Sequence, residues 1–122
     1  MPDPLADQRV CDVGEGRIVP NPHHAREVVV RLPNQLHQTL GKSDFVIVAL
    51  PLTDGTRGLI DASCFKSMPD HGYLVNVARG PIVNESDLVE ALRSYAIAGA
   101  GLDVYEEEPL PDSSPLWDIA QR

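Results

Sequence analysis

Residues 73–108, YLVNVARGPIVNESDLVEALRSYAIAGAGLDVYEEE, decide the fold. They divide into strand, loop, helix, strand and loop. Tyr73-Leu74-Val75-Asn76-Val77-Ala78 is a short apolar run between Gly72 and Gly80, the pattern of a strand buried on both faces. Asn84 can cap a helix, and Asp87 three residues on can close a capping box. Leu88, Ala91, Leu92 and Tyr95 then share one helical face. Residues 97–102 are apolar and rich in small side chains, so another backbone or a ligand can come close. Arg79 follows the first strand, Asp103 ends the second, and Glu108 lies five residues further on. Open α/β sheets bind ligands at the carboxyl ends of their parallel strands. One cation and two carboxylates are therefore expected at one crevice.

Working upstream, Phe45-Val46-Ile47-Val48-Ala49-Leu50 is an uninterrupted, β-branched strand pattern ended by Pro51. Asp61 can cap a helix over 62–68, with Cys64, Phe65 and Met68 facing the core. Residues 34–41 read as a short helix with Leu36 and Leu40 on one face and Gly41 as terminator. EVVVR at 27–31 reads as a strand. Strand and helix thus alternate, which predicts a parallel sheet of four strands near 27–31, 45–50, 73–78 and 97–103 with right-handed crossovers. The fold class is α/β, a partial Rossmann-like parallel sheet flanked by helices.

Residues 1–24 form an irregular segment, because Pro2, Pro4, Pro20 and Pro22 break any long element. Val10-Cys11-Asp12-Val13 has the pattern of a short strand. Gly14-Glu15-Gly16 starts like the dinucleotide fingerprint, but Val19 holds the third glycine position, and Pro20 and Pro22 block the following helix. It reads as a loop. His23-His24 has no third ligand in view and reads as a solvated pair. His37 and His71 read as exposed side chains, and Cys64 as core packing rather than a nucleophile.

Eighteen acids against ten Lys and Arg give a net charge of −8 over 122 residues. That disfavours nucleic acid and anionic membranes, which need clustered cations. A small anion is still admissible where one well-placed Arg can fork onto it. Cys11 and Cys64 lie far apart and form no redox or metal motif, which points to a reduced, cytoplasmic setting. The N-terminus lacks an apolar stretch of signal-peptide length, and no run approaches membrane-spanning length.

Three motifs in order are specific enough to indicate a family: SDFVIVALPLTDGTRGLID, MPDHGYLVNVARGPIVNESDLVEAL and IAGAGLDVYEEEPLPDSSPLW. Together, over residues 43–118, they resemble the NAD(P)-binding domain of the D-isomer-specific 2-hydroxyacid dehydrogenases. Residues 25–122 are then a partial NAD(P)-binding domain. The resemblance implies a hydride transfer between nicotinamide, NAD or NADP, and a small 2-hydroxy or 2-oxo acid. It implies that Arg79 is the catalytic arginine that holds the substrate carboxylate and keto oxygen. A planar, permanently charged fork suits that task. It implies that Glu108 pairs with a catalytic histidine, raising its pKa. Leu50 and Pro51 match positions on the adenosine side of the cofactor. Val77 and Ala78, beside Arg79, match backbone contacts at the nicotinamide ribose, and Asp103 matches the acid near the nicotinamide amide. No metal is implied.

The chain departs from the family pattern in two places. No glycine-rich strand-turn-helix unit precedes residue 43, and no Thr-Pro-His motif follows Trp117. The expectation is a truncated domain: the second half of a dinucleotide-binding unit, without useful dehydrogenase activity by itself. A strand edge and an apolar face left uncovered would then favour self-association. The alternatives are a non-catalytic NAD(H)-sensing binding protein and an inactive remnant.

Overall fold

Three of the four expected strands pair in parallel. The computed structural model describes residues 18–20, 27–29 and 31–120. By contacts the chain divides into two compact units, 1–39 and 40–122. The second contains β3 (Phe45–Val48), α2 (Ala62–Ser67), β4 (Tyr73–Asn76), α3 (Glu85–Arg93), β5 (Gly99–Leu102) and α4 (Leu116–Ala120). Its sheet has the order β3-β4-β5, both pairings parallel. Phe45, Tyr73 and Gly99 stand in register at one end, and Val48, Asn76 and Leu102 at the other.

The first unit corrects the fourth strand. β2 (Glu27–Val29) pairs antiparallel with β1 (Ile18–Pro20) in a separate two-stranded sheet. β-branched residues favour an extended chain but do not choose its partner. A connection of six residues allows an antiparallel return, whereas a parallel crossover needs a dozen or more. A 3-10 turn, Pro33–Gln35, leads into α1 (Leu36–Gly41), whose Leu40 is buried. The expectations for residues 10–13, 14–16 and 23–24 lie outside the described residues.

The helix caps follow the sequence. Asp61 Oδ1 accepts the Cys64 N–H at 3.2 Å and starts α2. Asn84 Oδ1 accepts the Asp87 N–H at 3.1 Å and starts α3. The expected capping box does not close: Asp87 Oδ2 accepts the Ala62 N–H at 2.9 Å instead. The carboxylate serves the neighbouring helix, whose first N–H groups also need acceptors. α3 also ends earlier than the apolar pattern implied. Tyr95 is left-handed, with φ 57°, and 70% exposed. Ala96 N–H reaches Ala91 O, and Tyr95 N–H reaches Leu92 O. These two bonds make a Schellman ending, which throws Tyr95 off the helix face.

The core holds Leu74, Val48, Ile60, Phe65, Cys64, Ile82, Leu88 and Ile97. Residues 58–60 run beside 81–84: Gly58 N–H donates to Pro81 O, Ile60 N–H to Ile82 O and Asn84 N–H to Ile60 O. This pairing gave no sequence signal, since it contributes a single isolated bridge, Ile60 to Val83. Tyr73–Asn76 is not buried on both faces. Leu74 and Asn76 are buried, but Tyr73 is 43% exposed. Phe45 beside it is 67% exposed, and the two rings stack with centroids 5.6 Å apart.

Candidate functional site

The carboxyl ends of the three parallel strands release three loops side by side. Val77 N–H continues the β3–β4 ladder onto Val48 O at 3.2 Å, and Asp103 N–H continues the β4–β5 ladder onto Asn76 O at 3.1 Å. Leu50-Pro51, Val77-Ala78-Arg79 and Asp103 therefore all leave one end of the sheet. An antiparallel pairing would have separated them. Leu50 and Val77 are large apolar side chains left 42% and 51% exposed, while Ala78 is buried. Arg79, Asp103 and Pro51 are exposed.

Arg79 is held rather than free. Its Nη1 donates to Ala78 O at 2.8 Å. Ala78 N–H in turn donates to Asn76 Oδ1 at 3.0 Å, and Asn76 Nδ2 donates to Arg79 O at 2.9 Å. Gly80 follows, and a Cβ there would collide with the backbone carbonyl of Tyr105. Only glycine lets the loop after β4 and the loop after β5 lie this close. A second tie joins the start of α3 to the loop after β5: Glu85 N–H donates to Glu106 Oε1 at 2.9 Å, and Glu106 N–H to Glu85 Oε2 at 3.0 Å.

Glu108 sits in this second loop, exposed, with Oε1 accepting the Tyr105 N–H at 3.0 Å. Glu106 and Glu108 thus have different partners and are not one undifferentiated acidic run. The sequence reading missed Asn76, Gly80 and the Glu85–Glu106 pair. Asn76 did carry a signal: it is the one polar side chain inside an apolar strand pattern, and buried polar groups need partners.

The other titratable candidates lie elsewhere. His71 stands at the amino ends of the strands, exposed, with Nε2 2.9 Å from Asp44 Oδ1 and Nδ1 3.8 Å from Asp70 Oδ1. His37 is exposed. Cys64 is buried, donates to Leu59 O at 3.4 Å, and burial pushes its thiol up. That is a packing cysteine, since only a thiolate attacks. Among the described residues no group of three His, Cys, Asp or Glu could hold a metal, and no helix is long and apolar enough to cross a membrane.

This end of the sheet thus presents the exposed apolar side chains of Leu50 and Val77, the guanidinium of Arg79 and the carboxylate of Asp103.

Comparison with known proteins agrees with this geometry. Residues 9–121 match the D-isomer specific 2-hydroxyacid dehydrogenase, NAD binding domain. The match begins well upstream of the three motifs at 43–118. A glyoxylate/hydroxypyruvate reductase B from Serratia proteamaculans is 49% identical over 84 residues, which are 69% of this chain and 26% of that protein. A D-isomer specific 2-hydroxyacid dehydrogenase from Xanthobacter autotrophicus Py2, crystallised with NADPH and MES, superposes with a TM-score of 0.69 at 49% identity. That likeness covers 71% of this chain and 28% of the other. An NADPH-dependent glyoxylate/hydroxypyruvate reductase from Sinorhizobium meliloti, in complex with NADP and sulfate, gives 0.67 at 37% identity over 71% of this chain and 29% of its own. The chain spans about a quarter of the relatives it matches. With a family match over nearly its whole length and a parallel sheet to carry it, the chain belongs to the D-isomer specific 2-hydroxyacid dehydrogenases, within their NAD-binding domain.

Proposed function

We propose that the strand-end surface is the cofactor and substrate side of a 2-hydroxyacid dehydrogenase acting on small 2-oxo acids of the glyoxylate and hydroxypyruvate class. The observation that carries this reading is the common exit of Leu50-Pro51, Arg79 and Asp103 from one end of three parallel strands in register. Arg79 forks onto the substrate carboxylate and its 2-oxo oxygen. Leu50 and Pro51 pack against the adenosine side of NAD or NADP, Val77 and Ala78 lie beside the nicotinamide ribose, and Asp103 accepts from the nicotinamide amide. The cofactor supplies the hydride when bound. Glu108 holds and orients a histidine supplied from outside the described residues. The relatives crystallised with NADPH or NADP make NADP the cofactor to try first.

Turnover by the 122-residue chain alone is not expected. A positioned acid contributes about 10²- to 10⁴-fold, and lost orientation of the cofactor forfeits more. The test is a titration of the chain with NADPH and NADH, followed by glyoxylate. Saturable cofactor binding that weakens in Leu50→Asp, without steady oxidation, is the expected result. No binding by the folded chain would sink the cofactor assignment. Steady oxidation abolished by Arg79→Ala would overturn the expectation of inactivity.

The exposed strip of Phe45, Ile47 and Tyr73 is proposed to be covered by a second copy of the chain, face to face, despite the charge of −8. The buried free thiol of Cys64 fits a reducing, cytoplasmic setting.

A further inference from the structure

We propose that Asn76 is the positioning residue for Arg79, setting the direction of the guanidinium by clamping the backbone on both sides of Ala78 O; this rests on the reading of Arg79 as the carboxylate-binding group. Asn76 is the last residue of β4 and only 1% exposed. Among the described residues it is the one polar side chain in the core. Packing does not ask for polarity there. Val83, Leu88, Leu102 and Val104 line the same small cavity as Asn76, where a leucine of similar size would suit them; Gly80 and Glu85 complete the lining, and Glu85 is the one charged group there.

The amide instead serves the loop. Val77 N–H makes the last ladder bond of the strand, so the next backbone groups need new partners. Asn76 Oδ1 takes the Ala78 N–H, and Asn76 Nδ2 reaches Arg79 O, which also accepts from Ile82 N–H at 3.3 Å. With both ends of the carboxamide engaged, the two peptides that flank Ala78–Arg79, namely Val77–Ala78 and Arg79–Gly80, are tied to one buried side chain, which limits the turning of the peptide between them. Its carbonyl, Ala78 O, is the acceptor that holds Arg79 Nη1. The chain of contacts runs from a buried amide, through the two peptides it clamps and the carbonyl between them, to the charged fork. Gly80, pressed against Tyr105 O, pins the other side of the same residue. A guanidinium fixed in this way keeps its remaining N–H donors on one heading, which two-oxygen recognition requires.

Two variants separate positioning from support. Asn76→Leu removes both bonds at similar volume. Asn76→Asp keeps the acceptor and regains the donor only when its carboxyl is protonated, which burial favours. The probe is oxalate, a dianion with vicinal oxygens, titrated into the 15N-labelled 122-residue chain, with Arg79→Ala as control. In Asn76→Leu the oxalate affinity should fall roughly tenfold, the scale of one lost hydrogen bond. Ala78 amide exchange should accelerate, while Leu74 and Leu88 amides stay protected. In Asn76→Asp the affinity should recover as pH is lowered between 8 and 5 (roughly the range a buried carboxyl can reach), where the parent protein stays flat.

Asn76→Leu with a protected core and oxalate affinity within about twofold of the parent would overturn the proposal. So would an Asn76→Asp whose affinity ignores pH, which decides the matter if the leucine variant does not fold. Should the parent bind oxalate no better than Arg79→Ala, the carboxylate reading fails instead. Positioning is then judged by 15N relaxation at Arg79 Nε: equal order in parent and Asn76→Leu refutes it, and order lost in the variant upholds it.

Discussion

The two faces of the parallel sheet are built from the same three strands and have opposite fates. On one face Val48, Leu74 and Asn76 are buried, and Leu88 of α3 lines a cavity with Asn76 and Leu102. On the other, Phe45 and Ile47 are 67% and 65% exposed, and Tyr73 stacks on Phe45. Beside them Gly99 and Gly101 add no side chain. The strands have the composition of a sheet covered on both sides, yet the described residues cover one. Apolar content therefore reports what a strand is suited to bury, not what it does bury.

The largest test of this contrast is mutational. Leu74→Ala and Leu88→Ala each remove a fully buried side chain and should cost about 2–5 kcal/mol in urea unfolding. In the chain diluted until it is monomeric, Ile47→Ala on the bare face should stay within about 0.5 kcal/mol, as for ordinary surface changes. Equal losses in the monomer would show that this face is covered within a single chain.

Association sharpens the same contrast. Phe45→Lys with Ile47→Lys should turn a self-associating chain into a monomer in sedimentation, with the fold kept by circular dichroism. A parent protein that is monomeric at tens of micromolar (roughly the working range for weak interfaces of this kind) would remove the second copy as occupant.

The smallest effect is electrostatic and sits at a helix start. A 2.6 Å hydrogen bond from Ser63 Oγ holds the Asp61 carboxyl below its usual range. A carboxyl depressed in the folded state adds stability above its unfolded pKa, about 3.9. That contribution is lost as pH falls through the lower folded value. Asp61→Asn keeps a capping oxygen but not the charge. Its melting temperature should therefore fall less than the parent's between about pH 4 and 2.5, with any difference at pH 7 being small. Parallel acid curves would dismiss the charge at Asp61.

Legibility in the sequence followed the range of the interaction that fixes each feature. The strands at 45–48, 73–76 and 99–102 were legible because each is a local apolar run, and the caps at Asp61 and Asn84 because a cap is decided within three residues. The parallel order followed from alternation. The partner of Glu27–Val29 was not legible, since one extended segment pairs with whichever edge its connection reaches. Tyr95 fitted the helical face by periodicity and left it because the backbone turned left-handed one residue after the cap. At the strand ends, the placement of Arg79 and Asp103 was legible from strand boundaries. Gly80 against Tyr105 and Glu85 with Glu106 were not, because each joins segments more than about 20 residues apart through geometry that only the folded sheet creates.

Trp117 is the only tryptophan, half-exposed, with its indole N–H donated to Pro111 O at 3.0 Å. It shares a groove with Leu102 and Tyr105, beside β5. The chain therefore carries its single tryptophan, which can be excited selectively over the three tyrosines, at the rim of the sheet, one loop away from Glu108. Its emission will follow the 103–117 segment and stay silent on the β3–β4 pairing, which far-ultraviolet circular dichroism will see. Melting curves that separate in these two signals would mean that this rim lets go before the strands do.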